Sequence, residues 1–415
     1  MSTGPSKLRI INDRAALSHI LRAGEISRAE LEDLTGLSKP ATADLLSRLE
    51  SAGLVQKQGM RSGGPGPKAQ LWGVRPEVGF AAGVNVTPAN IDVQITDLSG
   101  NVVSQHQFAA CASAGSGVRR AIQAACITAK ISEQQILHTV IGLPGALDPR
   151  SGMLKFAPHM PAWSNYDLIA ALDLELDMPV TVENDVNLMA LAELDGGLAA
   201  AAENFALVWI DTGLGAAIVI RRELFRGFTG GAGEIDYLPV PDRAEAETGL
   251  DRRGGKFGNL LSPQAIAALA RAHGLPGDDP VETLRTAART GSASGHAAFL
   301  NDLALRIATG LSAIVTVLDP ELLLLGGAFG VAGGEPLAQL VRENLGEVMN
   351  APHGSTAEVL ALGVPSPTAP NRQAKPVDGA PVEGIPAGNA LAGASSLALK
   401  HAREKAFETG SVMTG

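Results

Sequence analysis

The chain has 415 residues, 45% of them apolar, and a net charge of −10; this is too long for one ordinary domain and enough for two or three. Aromatic residues make up only 4%, so aliphatic packing builds the core, and no apolar run reads as long and uncharged enough to span a bilayer. Met1–Pro5 has no signal-peptide hydrophobic region, and Cys111 and Cys126 stand in no disulfide or metal pattern, so a cytoplasmic location is expected.

Charge is unevenly placed. Residues 1–75 hold 11 Lys/Arg against 7 Asp/Glu, near +4, which leaves about −14 for the rest. An acidic body repels nucleic acid. A basic head still binds it locally, because the field decays over a Debye length of about 8–10 Å.

The head reads as three helices and a basic strand pair. Ala15, Ala16, Leu17 and Leu21 give a first apolar face. Ser27-Arg28-Ala29-Glu30 fits a capping box, and Gly36 sits where a helix-turn-helix needs its tight turn. Ser38 is expected to cap the next helix, with Pro40 in its first turn and Leu45, Leu46 and Leu49 turned inward. Lys39, Thr42, Ala43 and Arg48 are the outward candidates, with Asp44 near by. Two short strands around a Gly/Pro-rich loop then form a wing carrying Lys57, Arg61 and Lys68. The second helix of such a motif reaches base edges, and wing cations reach phosphates or the minor groove. The candidate contacts to double-stranded DNA are therefore Ser38, Lys39, Thr42, Arg48, Lys57, Arg61 and Lys68. A small helical domain for protein contact is the plainer reading; the order of cap, glycine turn, second cap and basic wing favours DNA.

The body alternates strands and helices, which indicates an α/β fold. Gly83–Asn85 leads into Val86-Thr87-Pro88-Ala89-Asn90, and Ile91, Val93 and Ile95 then alternate with polar neighbours. The shape recurs at Leu207–Ile210, Asp211-Thr212-Gly213-Leu214-Gly215 and Ile218–Ile220. The second turn has glycines that let backbone N–H groups close around a phosphate; the first has Pro88, which has no N–H to donate. One turn is thus intact and one blunted. Val180–Glu183 is a strand ending in Asn184 and Asp185, polar groups well placed to line a crevice and bind a polyol. Gly230-Gly231-Ala232-Gly233-Glu234 is a flexible turn presenting a carboxylate, and Leu322–Leu325 runs into Gly326-Gly327.

This set of motifs resembles the ROK family of bacterial sugar kinases and their repressor relatives. The resemblance rests on Gly142-Leu143-Pro144-Gly145, Trp163 with Asn165, Glu183–Asn187, Thr212–Gly215, Ala232-Gly233-Glu234 and Gly326-Gly327. It covers nearly the whole chain, about residues 12–362 and again near Gly393-Ala394. It implies a duplicated actin-like, hexokinase-like (ribonuclease H-like) two-lobed body, with the winged helix-turn-helix of the repressor branch in front. It also implies an effector site at Asn184, Asp185 and Glu234, with Tyr237 offering a hydroxyl or a stacking face.

Three departures from the family pattern bear on function. Asn85, Thr87, Pro88 and Ala89 stand where the kinases have Asp-x-Gly-Gly-Thr, which removes support for phosphates and Mg²⁺. Asp185 matches the family's base, but a base without a held nucleotide is not a kinase. The run Ala244–Leu261 has no cysteine, Tyr237 replaces the zinc-binding histidine and Asp236 a glycine, so neither metal nor cofactor is expected. A family glutamate of the sugar site falls near Gly258.

The expected organisation is a winged helix-turn-helix over residues 1–75, a first lobe over 76–190 and a second over 191–407. A Pro/Ala/Gly-rich flexible insertion is expected over 363–389, a helix over Ala390–Phe407, and disorder from Ser411. The expected function is a transcriptional regulator, a repressor, with a degenerate kinase body sensing a sugar-like effector and assembling as a homodimer or homotetramer. An ATP-dependent sugar kinase and a DNA-bound scaffold controlled by a protein partner remain as alternatives.

Overall fold

The computed structural model describes residues 5–61, 68–110, 114–155, 157, 160–164, 166–240, 255–291, 294–349, 357–363 and 390–413. It forms two compact units: Met1–Leu143 with Pro158–Glu183 and Ala394–Gly415, and Pro144–Ala157 with Asn184–Gly393.

The first unit opens with the head. Helices α1 (Pro5–Ala23), α2 (Arg28–Thr35) and α3 (Lys39–Ser51) pack with a sheet of order β1-β3-β2, where β1 is Glu25–Ser27, β2 Val55–Arg61 and β3 Ala69–Val74. The capping box forms as read: the Ser27 hydroxyl accepts from Glu30 N (3.3 Å), and the Glu30 carboxylate accepts from Ser27 N (2.8 Å). Gly36, at φ +68°, then ends α2 in the left-handed conformation.

The body of this unit is a five-stranded sheet ordered β10-β7-β4-β5-β6. Its strands are β4 (Phe80–Val86), β5 (Asn90–Asp97), β6 (Val102–Ala109), β7 (Ile136–Leu143) and β10 (Val180–Asn184). Strands β4, β5 and β6 run antiparallel, while β7 joins β4 in parallel. The helix Ala390–Met413 belongs here from Ala394 on, although the sequence reading placed it with the second lobe. The reason is packing: a Cβ on Gly83 of β4 would run into Ser395, and Arg403 Nε donates to the Leu98 carbonyl (2.9 Å). The Arg14 guanidinium lies 5.4 Å from the Phe407 ring centre, which ties α1 of the head to this helix. The helix also continues past Ser411 to Met413, where disorder was expected.

The second unit repeats the same design. Its sheet is ordered β13-β12-β11-β14-β15, with β11 Phe205–Ile210, β12 Leu214–Ile220, β13 Glu223–Leu224, β14 Leu322–Gly326 and β15 Glu358–Ala361. An antiparallel run again carries a parallel neighbour, β14 on β11. Leu322–Leu325 is an unbroken apolar run because this inner strand is covered on both faces. The helix Ser294–Leu318 supplies much of that cover through Phe299, Leu303, Ile307 and Leu311. Contrary to the sequence reading, its 24 residues from Gly295 are long and apolar enough to cross a membrane by composition alone, yet 56% of its apolar window is buried within the protein. The change of unit falls at Glu183/Asn184 rather than at residue 190, and the hairpin of β8 (Ala146–Leu147) and β9 (Leu154–Lys155) belongs with the second unit.

Candidate functional site

Helix α3 carries a buried stripe at Thr42, Leu45, Leu46 and Leu49, the i, i+3, i+4, i+7 spacing of an amphipathic helix. Thr42 is 0% exposed and its hydroxyl donates to the Ser38 carbonyl (3.2 Å), so it faces the core and not DNA, a correction to the sequence reading. Arg48 is also withdrawn. Its Nη2 lies 2.5 Å from Asp13 Oδ1 and its Nε donates to Oδ2 (3.1 Å), which pins α3 to α1. Ser38 occupies the N-cap position but makes no side-chain cap bond. Lys39, Asp44 and Ser47 are exposed on α3. Of the wing cations, Lys57 pairs with Glu50 (3.6 Å) and lies 5.3 Å from the Trp72 ring centre, while Arg61 pairs with Glu30 (2.7 Å). Lys68 is exposed. Residues 62–67 at the wing's tip lie outside the described residues.

Sequence reasoning missed two residues of this surface, Ser47 and Arg9. Both line a groove of about 500 Å³ between α1 and α3, together with Asn12, Asp44 and Arg48. The signal for Ser47 was available: it stands one turn after Ala43, opposite the buried stripe. Arg9 had none, because the apolar face was read only from Ala15 onward and α1 starts at Pro5.

The two phosphate-type turns differ in what they leave available. In the β4–β5 turn, Thr87 N donates to the Asn90 carbonyl (2.8 Å), and the Thr87 hydroxyl accepts from Asn90 N (2.9 Å). Those groups close the turn on itself, and Pro88 adds no donor. In the β11–β12 turn, Thr212 and Gly213 are exposed, and Asp211 N donates to the Gly213 carbonyl (3.0 Å). The Asp211 carboxylate accepts from Thr212 N (2.7 Å) and from Ala328 N (3.0 Å), which couples this turn to the helix Gly327–Met349.

In the second unit, Asn184 and Glu234 meet at one small cavity of about 30 Å³, lined also by Ala146, Asn187, Gly230 and Gly233. That is room for one hydroxyl-sized group. Asn184 is the N-cap of the helix Asp185–Gly196: its Oδ1 accepts from Asn187 N (3.1 Å), and its Nδ2 donates to the Gly145 carbonyl (3.0 Å). These bonds hold the amide in place. Asp185 Oδ1 accepts from Val186 N (2.9 Å), and burial pushes the carboxyl up to about 6. Glu234 is pushed up to about 7, by burial first and then by the charges of Asp236 and Asp185. The glycine before it is required: at φ +95°, a Cβ on Gly233 would run into the Ala216 carbonyl.

Tyr237 does not join this cavity. It is 50% exposed, with Lys256 Nζ 4.6 Å from its ring centre, because the short 3₁₀ turn Ile235–Tyr237 rotates it outward. Asp236 lies instead against Gly258, in space that any side chain at 258 would need. Asn187, buried and lining the cavity, was read as part of a motif and not as a site residue. Asn165, the run 241–254 and most of the 363–389 insertion lie outside the described residues. Among the described residues no group of three His, Cys, Asp or Glu is placed to hold a metal ion.

Comparison with known proteins agrees with this architecture. The signature of the ROK family matches residues 81–364, and that of the MarR family matches residues 12–63. The xylose repressor of Bacillus subtilis is 29% identical over 237 residues, 55% of this chain and 60% of that protein, so the match spans under two thirds of the relative. A crystallised ROK family transcriptional regulator, described as a homologue of the Escherichia coli Mlc protein, superposes with a TM-score of 0.69 at 18% identity, covering 98% of this chain and 99% of that one. A ROK family glucokinase from Streptomyces griseus, crystallised with glucose and AMPPNP, superposes with a TM-score of 0.54 at 23% identity, covering 77% and 99%. With a family signature across 81–364, a duplicated sheet and a winged head in front, this chain belongs to the ROK family.

Proposed function

We propose that this chain is a DNA-binding transcriptional regulator, acting as a repressor, whose kinase-like body senses a carbohydrate and does not transfer phosphate. The observation that carries it is the head: a winged helix-turn-helix with α3 presenting Lys39, Asp44 and Ser47 outward, on a body whose first phosphate turn is closed on itself. In this reading Lys39 and Lys68 meet phosphates, Ser47 and Asp44 meet base edges, and Arg9 lies along the flanking backbone. Arg48, Lys57 and Arg61 act first by holding the head together. Two heads on a two-fold related operator call for a homodimer or a dimer of dimers, in the cytoplasm with the DNA.

The effector reading rests on Asn184, Asn187 and Glu234, which can accept from and donate to sugar hydroxyls. Glu234, with its raised pKa, donates as a neutral acid over part of the physiological range. An effector acts only if it binds one conformation better than another. The similarity to a protein named a xylose repressor supports a small sugar as its class.

Genome-wide mapping of bound sites with the wild-type chain and with Lys39→Ala tests the DNA reading. Discrete sites that Lys39→Ala weakens are expected; no enriched sites would overturn it. The alternative, a sugar kinase, is favoured by Asp185 and by the intact second turn. ATP turnover over a sugar panel that is abolished by Asp185→Asn would establish it in place of a sensor.

A further inference from the structure

Two segments that line the cavity of the second unit also meet through a pair of exposed side chains. One is the β8–β9 hairpin, which gives Ala146 to the cavity and carries Arg150 at its tip. The other is the segment 225–234, which gives Gly230 and Glu234 to the cavity and carries Phe228 two residues before Gly230. The walls are in close contact, since a Cβ on Gly230 would run into the Leu147 carbonyl. Arg150, three residues on from Leu147, has its guanidinium 4.5 Å from the centre of the Phe228 ring.

Arg150 is anchored to the hairpin although its side chain is 58% exposed. Arg150 N donates to Asp148 Oδ1 (3.0 Å), its Nε stands 3.6 Å from the same oxygen, and Asp148 is buried and gripped by Lys155 Nζ (2.6 Å). Arg150 is therefore set by a buried carboxylate, and it covers one face of Phe228. The phenyl is nonetheless 78% exposed, in a chain with only 10 phenylalanines. An aromatic ring backed by a guanidinium on one face and open on the other, on a segment that also lines a polar cavity for one hydroxyl-sized group, has the form of a carbohydrate platform: apolar C–H faces of a sugar stack on the open face.

We propose that Phe228 and Arg150 form an outer subsite for a second sugar ring, so that the effector is a disaccharide-sized or larger glycoside. This rests on the effector reading above and names its ligand class. The open face of Phe228 stacks on the second ring, Arg150 backs the phenyl from its other face, and the inner cavity takes one polar substituent of the first ring.

The test is calorimetric titration of the full chain with paired probes: xylose and xylobiose, glucose and cellobiose, N-acetylglucosamine and diacetylchitobiose. In one pair the disaccharide should bind at least about tenfold more tightly. Phe228→Ala should weaken that disaccharide by roughly threefold to tenfold while changing the monosaccharide by less than about twofold, and Phe228→Trp should restore it. The exposed ring makes both variants safe for folding, which circular dichroism checks. A monosaccharide that binds as tightly as its disaccharide, or a Phe228→Ala effect that is absent or equal for both, overturns the outer subsite alone. No heat and no thermal shift with any of the six sugars overturns the effector reading and the subsite with it.

Discussion

Glu234→Gln is the sharpest test of the cavity's electrostatics. The substitution keeps shape and removes the charge. The folded protein raises this carboxyl from 4.5 to about 7, mainly by burial and then through Asp236 and Asp185. Moving the carboxyl from 4.5 to about 7 corresponds to roughly 3.4 kcal/mol, and partial solvent access screens it to about 1.5–2 kcal/mol. The sign follows from linkage. A carboxyl raised in the folded state favours folding while protonated, so below pH 4.5 there is no cost. The cost grows as pH rises from 4.5 to 7 and is complete above that. Glu234→Gln should therefore be more stable than wild type by about 1.5–2 kcal/mol at pH 8 and indistinguishable at pH 4.5. Urea unfolding of both proteins at pH 4.5, 6 and 8, followed by fluorescence and circular dichroism, measures it. A difference independent of pH, or a variant less stable at pH 8, would refute the reasoning.

Lys39→Ala should weaken operator binding and lower the slope of log K against log salt by about 0.9, read by fluorescence anisotropy across a salt series; an unaltered slope would remove Lys39 from the phosphate contacts. Arg48→Ala leaves Asp13 without its ion pair and should destabilise the head by about 1–3 kcal/mol, seen as faster amide exchange in α1 and α3, with the salt slope unchanged below the melting transition. Gly393→Ala drives a Cβ into the Leu188 carbonyl and should cost about 1–3 kcal/mol in thermal unfolding; a neutral result would show that this helix start has room to move. Burial and the neighbouring His401 and Lys405 hold His138 down to about 4. Its folded form binds fewer protons than the unfolded chain, so stability falls as pH drops from 6.5 towards 4, and His138→Gln should remove that part of the acid sensitivity in pH-dependent melts.

Much of the molecule was legible before any coordinates. The capping box at Ser27, the turn at Gly36 and the repeated strand-turn-strand depend on local chemistry, and each formed where it was read. The motif Asn184–Asn187 with Glu234 was found the same way, and the fold brings Asn184 and Glu234 to one cavity. The individual cations were not legible. Arg48, Lys57 and Arg61 look alike on paper, yet their partners Asp13, Glu50 and Glu30 lie 35, 7 and 31 residues away in the chain. Thr42 was misplaced for a simpler reason: a polar residue was taken to face outward, although its spacing to Leu45, Leu46 and Leu49 already put it inside.

Sequence by itself determined the winged head, the doubled α/β body and the tight Thr87–Asn90 turn, because caps, glycines, prolines and apolar periods act over a few residues. Tertiary structure alone decided which charges of the head pair with one another and which stay exposed, that Tyr237 turns away from the cavity, that the closing helix joins the first unit, and that Arg150 meets Phe228. Those outcomes depend on which distant side chains share a space once the chain has folded, and no local pattern encodes that.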